Sequence, residues 1–181
     1  MVASLCRKIG DATNTTWGTW GHGKGSSAHE KMIPKVLSKE MGYSEPSSVL
    51  VFDKIGNSIS RSISHSCPVV LSGMRDPYDA GWWIFKWEAY KSGHTWLVDG
   101  LFEQYRIISI YKKKTGKLIS TKDEHRTFLH CNWGWGQECD GYYEEGVFDS
   151  RHPAIKDDPN NFQENGGYYK YEITYIPFIK P

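Results

Sequence analysis

The order of helical and strand patterns along the chain is the feature that most constrains its fold. Apolar residues recur at helical spacing in residues 2–9 and again in 33–41, whereas the chain from His94 onward alternates apolar and polar residues as β-strands do. Helices that come first and antiparallel strands that follow indicate an α+β arrangement rather than alternating βαβ units. With 181 residues, the chain is long enough for a single domain with its own core.

Turn-forming residues divide this pattern into elements. Residues 33–42 are predicted to form a helix that Gly42 ends, and Ser-Ala-His-Glu at 27–30 fits a capping box before it. The other predicted elements are strands at 47–52, 67–73, 94–100, 104–112, 116–121, 126–133 and 166–179, with a short helix around Ile59 and a hairpin turn at 112–116.

Aromatic residues are unusually frequent, with eight tryptophans and eleven tyrosines. They cluster at 17–20, 82–90, 133–143 and 168–175. Clusters of this kind indicate either a β-core held together by aromatic packing or an exposed stacking surface. One of them lies in residues 74–91, which mix turn formers with aromatics and are predicted to be an inserted loop or hairpin over the domain.

Charge and hydropathy exclude several kinds of partner. The chain carries 22 basic and 21 acidic residues, so no global field favours nucleic acid or an acidic membrane. No stretch is apolar enough to cross a bilayer, and the first residues do not have the pattern of a signal peptide. Because the chain starts inside an amphipathic pattern, we expect that it is truncated at the N-terminus.

The four cysteines do not predict a disulfide framework or a zinc knuckle, although one disulfide stays an open alternative. Residues of the types that bind zinc recur in the second half of the chain, and a zinc site would use His94, His130, Cys131 and Cys139. His130 and Cys131 are consecutive on a predicted strand and therefore point to opposite faces, so this site is not favoured. No metal or other cofactor is predicted.

Two stretches contain residue types that suit one chemistry. Residues 92–101 read SGHTWLVDGL, and residues 130–143 read HCNWGWGQECDGYY. A thiol peptidase needs a cysteine thiolate, a histidine that moves the proton, and a group that orients the imidazole. The neutral oxygen of an asparagine suits the third role, and a tryptophan can shield that contact from water. The stretches therefore predict His94, Asn132 and Trp133 as parts of a cysteine peptidase site.

These motifs resemble the streptopain family, which are secreted bacterial cysteine peptidases with a papain-like fold. The family strand G-G-H-A-x-V-x-D-G is similar to residues 92–100, and the family motif N-W-G-W-G-G followed by G-Y-F is similar to residues 132–137 and 141–143. The resemblance implies a papain-like α+β fold, in which N-terminal helices precede a twisted antiparallel β-sheet, over one domain of residues 1–181. Departures from the family motifs include Ser92, Thr95 and Gln137.

The resemblance also implies roles for individual residues. It makes His94 the catalytic imidazole, Asn132 its orienting partner and Trp133 the shielding indole. Residues 25–28 look like the family's G-S-A loop beside the substrate cleft. Substrate contacts are thereby implied for Ser26, Ser27 and Trp135.

The family's nucleophile lies in a T-G-C-V-A-type motif at the start of a long helix, and nothing in this chain matches it. None of the four cysteines is predicted to replace that thiol: Cys6 lies in an apolar stripe, and Cys131 is expected to point away from His94. We therefore predict a streptopain-like endopeptidase domain that lacks its nucleophile and is inactive alone. Either the natural protein is longer, or the chain is a remnant that acts as a binding or inhibitory partner.

The implied partners are a polypeptide substrate and an inhibitory propeptide or inhibitor protein, and the implied location is outside the cell or in its envelope. A different class of function stays open. The tryptophans would serve as stacking platforms in a non-catalytic carbohydrate- or protein-binding module. The residues concerned are Trp82, Trp83, Trp87, Trp133 and Trp135.

Overall fold

The computed structural model describes residues 2–18, 28–44, 49–52, 58–83, 85–160 and 166–177. These residues form a mostly antiparallel sheet with few helices. The helices are α1 (Val2–Ala12), a 3-10 turn (Glu30–Met32), α2 (Ile33–Met41) and α3 (Ser58–Ser64). The strands are β1 (Leu50–Val51), β2 (Val69–Met74), β3 (Asp76–Trp82), β4 (Phe85–Lys91), β5 (His94–Tyr111), β6 (Leu118–Asn132), β7 (Gly141–Glu144), β8 (Phe148–Asp149), β9 (Ile155–Lys156), β10 (Tyr168–Tyr169) and β11 (Tyr171–Ile176).

The main sheet has seven strands in the order β1-β11-β2-β5-β6-β7-β9, and each neighbouring pair is antiparallel. In the β2–β5 ladder, Gly73 lies opposite His94. In the β5–β6 ladder, Leu97 lies opposite Asn132. The two sequence motifs therefore lie on adjacent central strands. His94, which begins β5, and Asn132, which ends β6, lie at the same end of these strands.

The helices confirm the sequence patterns, with one correction. Gly42 ends α2 in the left-handed conformation, with φ 74°, and its N–H donates to the Leu37 carbonyl. Ser27 of the predicted capping box lies outside the described residues, and α2 begins later than the box implies, after Met32 and without a side-chain cap. Pro34 lies in the first turn, where its missing N–H costs no hydrogen bond. In the part of the chain that the structure describes, no helix is long and apolar enough to cross a membrane.

Strand β5 is longer than the sequence predicts. Gly100 suggests a strand end, but the structure continues as one strand from His94 to Tyr111. The ladder with β6 shifts register between Val98 and Gly100, and a Cβ at Gly100 would approach the His130 Cβ to 2.7 Å. Gly100 is therefore a bulge position rather than a turn. The predicted hairpin turn is confirmed, with the Lys112 N–H donating to the Lys117 carbonyl at 2.8 Å.

The core lies on one face of the main sheet. Strand β2 alternates buried and half-buried residues, and its buried Val69 and Leu71 lie opposite the buried Val98 and Trp96 of β5. The aromatic residues of β7, β8, β10 and the loop after β6 complete this core, which answers the question of core or surface for two of the aromatic clusters. The largest buried side chains include Trp133, Tyr143, Phe148, Leu71 and Leu129.

Residues 76–82 and 85–91 form a separate β3–β4 hairpin. Tyr90 near its base stacks on Tyr171 of the main sheet, with ring centroids 4.6 Å apart. The aromatic side chains at its tip do not cover the domain, because Trp82 and Trp83 are 87% and 84% exposed. That the segment is an insertion into the domain stays a prediction.

Gly141 begins β7 at a position that admits no side chain. Its φ is 152°, and a Cβ would lie 2.2 Å from the Ile155 carbonyl oxygen. We expect Gly141→Ala to lower the free energy of unfolding by about 2–4 kcal/mol through overpacking and backbone strain. Gly134→Ala is the control, because Gly134 also has a positive φ but faces open space. Denaturant titration of both variants measures the difference, and equal losses would contradict this account.

Candidate active site

The β5–β6 register places His94 beside the loop that follows β6. Leu97 lies opposite Asn132, so the same register continued along the chain brings Trp133 beside Trp96 and Trp135 beside His94. The ring contacts agree with this extension: the Trp96 and Trp133 centroids are 4.7 Å apart, and those of His94 and Trp135 are 4.6 Å apart. Two antiparallel strands thus bring together side chains that are distant in the sequence.

His94 lies in an aromatic enclosure. Its ring is stacked on Trp133 at a centroid distance of 5.9 Å, and Tyr169 approaches it at 5.7 Å. Burial among these rings lowers the pKa of His94, and the hydrogen bond to Trp133 opposes that shift in part. The imidazole is therefore held in its neutral form at neutral pH.

One hydrogen bond orients the His94 ring. Nε2 lies 2.9 Å from the backbone carbonyl oxygen of Trp133. A carbonyl oxygen only accepts, so Nε2 carries the proton and donates it to this bond. In the neutral ring the lone pair is then on Nδ1, which becomes the basic atom of the site.

Asn132 contributes to the same turn through a different contact. Its Oδ1 accepts a hydrogen bond from the Gly134 N–H at 2.9 Å, and the residue is exposed. The observed partner of the His94 ring is thus the Trp133 carbonyl, which the Asn132 turn positions. The direct orienting role assigned to Asn132 stays a prediction.

Asp140 holds the backbone of Trp133 from the other side. Its Oδ1 accepts from the Trp133 N–H at 2.8 Å, and the residue is only 4% exposed. Burial raises the pKa of this carboxyl, while the Trp133 N–H lowers it.

The sequence motifs did not predict Asp140 or Tyr169 as part of the site. The only signal for Asp140 was an acidic residue inside an otherwise aromatic and glycine-rich motif.

The described thiols belong to the core rather than to the His94 site. Cys131 donates to the Leu129 carbonyl, and burial raises its pKa well above the ordinary value. Alternation holds, since Cys131 is buried and neighbouring Asn132 is exposed. The prediction that Cys131 points away from His94 is wrong, because Cys131 lies opposite Val98, which shares one face of β5 with His94. Cys67 donates to the His65 carbonyl, and Cys139 is fully buried. A buried thiol with a raised pKa carries little thiolate, so Cys131 is not a nucleophile.

Of the implied substrate contacts, only Trp135 is described. It is half-buried and packs against His94 and Trp133, with the Trp133 ring 5.6 Å away. Ser26 and Ser27 lie outside the described residues. Trp135 therefore lies beside His94, and its contact with substrate stays a prediction.

His130 bridges two carboxylates. Its Nδ1 lies 2.5 Å from Asp99, and its Nε2 lies 2.7 Å from Asp157. These contacts occupy both ring nitrogens and link β5 and β6 to the segment after β9. Within the described ranges, no group of three or more histidine, cysteine, aspartate or glutamate side chains is arranged to hold a metal ion.

The carboxylates should make the stability that His130 contributes depend on pH. Burial alone would lower its pKa, but the bonds to Asp99 and Asp157 raise it overall. The stabilisation that charged His130 gives the folded state is therefore complete below pH about 6.5, the pKa of an unperturbed histidine. It is lost as the pH rises through the higher pKa of the folded state, because a neutral ring donates to only one carboxylate. We expect His130→Gln to cost about 1 kcal/mol more at pH 6 than at pH 9. Denaturant titrations at both pH values test this, and a larger cost at pH 9 would contradict it.

Comparison with known families gives one finding. Residues 1–143 match the profile of the peptidase C10 family. The match extends over α1, the His94 strand and the loop that contains Trp133 and Trp135. Comparison with curated proteins gave no match.

Proposed function

The chain belongs to the peptidase C10 family, the streptopain family, and on this premise we propose that it is the His94-bearing part of a papain-like cysteine endopeptidase. The observation that carries the proposal is the His94 ring, which donates from Nε2 to the Trp133 carbonyl and leaves Nδ1 as the base. A cysteine peptidase needs a basic nitrogen held in one orientation beside its thiol. The thiol itself is proposed to come from a segment outside these 181 residues, because none of the four cysteines matches the family's nucleophile motif.

The proposed reaction has two halves. In the first, Nδ1 of the neutral His94 ring takes the thiol proton, the thiolate forms a bond to the peptide carbonyl carbon, and the π-electrons of the C=O bond move to the oxygen, which backbone N–H groups stabilise. His94, now protonated on both nitrogens, gives the Nδ1 proton to the leaving amine as the oxygen electron pair re-forms the C=O bond and the C–N bond breaks. In the second half, Nδ1 takes a proton from water, the water oxygen attacks the acyl carbon, and the thiolate leaves.

The aromatic enclosure supports this proposal in physical terms. The rings of Trp133 and Tyr169 fix the His94 imidazole in place and exclude water from one face of it. Hydrogen bonds in a water-excluded site are stronger than in solution, so the bond from Nε2 to the Trp133 carbonyl stabilises the charged ring during the reaction. Asn132 supports the carbonyl through its turn, and Trp135 is proposed to contact the substrate.

The non-catalytic binding module has less support. Trp133 is 1% exposed and packs in the core, so it offers no platform to a sugar ring. Trp82, Trp83 and Trp87 are exposed, but they lie on the β3–β4 hairpin, apart from Trp133 and Trp135 in sequence and in strand. The family match points to proteolysis instead.

Intact mass and N-terminal peptide mapping of the protein from its natural source test the proposal first. We expect a species longer than this chain with a Gly-Cys motif upstream of Val2, and we expect it outside the cell or in the envelope. The same sample should hydrolyse casein and lose that activity when a thiol-alkylating peptide labels the upstream cysteine. A protein that starts at Met1 and does not cleave casein would refute the active enzyme and favour an inhibitory or binding partner.

A further inference from the structure

Strands β5 and β6 extend beyond the main sheet as a two-stranded arm, defined here as residues 103–126. The ladder between β2 and β5 reaches only to Val98, and the ladder between β6 and β7 begins only at Phe128. In the part of the chain that the structure describes, residues 103–126 pair only with each other. Both outer edges of the arm therefore present backbone N–H and C=O groups that none of the described strands pairs, and such groups are a template for another strand.

The two edges of the arm differ in charge. Strand β6 carries five consecutive ionisable residues at 122–126, a pattern that protects an edge from pairing. Residues 105–111 of β5 read YRIISIY, and their one charged residue, Arg106, is already bonded to Glu124 at 2.8 Å. Tyr105, Ile107, Ile110 and Tyr111 of this segment are between 50% and 59% exposed. The β5 edge thus has the composition of an edge that pairs, whereas the β6 edge does not.

The β5 segment is also complementary to itself. An antiparallel pairing of two copies with the two-fold axis at Ile108 places Tyr105 opposite the second copy's Tyr111. In the same register Arg106 lies opposite the second copy's Ile110. No like charges then face each other, and apolar and aromatic side chains meet on both sides of the axis. A two-fold symmetric contact of this kind uses the same surface on both copies.

We propose that residues 105–111 of β5 pair with the same residues of a second copy and join two arms into a continuous four-stranded ribbon. A second copy is favoured over a foreign strand because the register above satisfies both chains with one sequence. An isolated two-stranded ribbon is only marginally stable in water, so the pairing also stabilises the arm. The proposal does not depend on the peptidase assignment.

Opposite charges at Ile110 test both the pairing and its register. Ile110→Glu places a carboxylate opposite Arg106 of the second copy, whereas Ile110→Lys places an ammonium group there. Both changes remove the same apolar side chain, so they differ mainly in this cross-strand pair. We expect wild type and Ile110→Glu to self-associate, and we expect Ile110→Lys to associate at least about tenfold more weakly than Ile110→Glu. Sedimentation velocity over a concentration series measures the effect.

Thr121→Lys is the matched control, because it adds the same charge to the neighbouring strand β6 and should leave association unchanged. The thermal transition of each variant, measured at the lowest concentration, shows that the arm and the domain remain folded. A wild-type protein that stays a single copy at every concentration would overturn the proposal. Association as tight in Ile110→Lys as in Ile110→Glu, or association that is lost in Thr121→Lys, would also overturn it. Binding of an unfolded polypeptide such as carboxymethylated casein to a monomeric wild type would assign the edge to a foreign strand instead.

Discussion

Replacement of His94 by alanine is expected to lower kcat/KM for a polypeptide substrate by at least about 10³-fold in the nucleophile-bearing enzyme. The substitution removes Nδ1, which the hydrogen bond from Nε2 to the Trp133 carbonyl leaves as the basic atom. Without it the thiol has no partner to take its proton, and the leaving amine has no acid. Hydrolysis of fluorescently labelled casein, followed from pH 5 to 9, measures the loss.

His125→Ala provides a matched histidine control. His125 lies on β6 in the arm, where it is exposed and packs against Tyr105 with ring centroids 4.6 Å apart. Its removal should change kcat/KM by less than about twofold, because surface substitutions away from the site have small effects. Near-UV circular dichroism should show native aromatic packing in both variants. A folded His94→Ala enzyme with activity within tenfold of wild type would show that another group is the base.

The sequence predicted those parts of the fold that depend on local patterns. Gly42 ends α2 because a glycine adopts the left-handed conformation without strain, and the Lys112 turn forms because the chain must reverse between two alternating strands. The two motifs predicted His94 and Trp133 as neighbours, and the register of β5 and β6 brings them together.

The sequence did not predict those features that depend on the backbone or on distant contacts. Every residue carries a backbone carbonyl, so no sequence pattern distinguished the Trp133 carbonyl from the Asn132 amide as the acceptor for His94. Asp140 and Tyr169 join the site through loops and strands whose packing no local motif specifies. The strand through Gly100 was missed because a glycine marks both turns and bulges.

The largest loss of stability is expected for Trp133→Ala, at about 3–5 kcal/mol in the free energy of unfolding. Trp133 is 1% exposed, and its indole packs against Trp96, Tyr143 and Tyr169. Its removal leaves a cavity at the centre of the core that rigid β-strands fill poorly. Denaturant titration monitored by far-UV circular dichroism measures the change.

Trp83→Ala is the control for this prediction, because Trp83 is 84% exposed and its loss should change stability by less than about 1 kcal/mol.

Trp133→Phe tests whether the filled volume or the indole itself stabilises the core. It keeps the backbone carbonyl and most of the ring volume, so the hydrogen bond to His94 should persist while the shielding of that bond weakens. We therefore expect Trp133→Phe to retain more stability than Trp133→Ala. Equal losses in the alanine and phenylalanine variants would show that the indole itself, rather than the filled volume, stabilises the core.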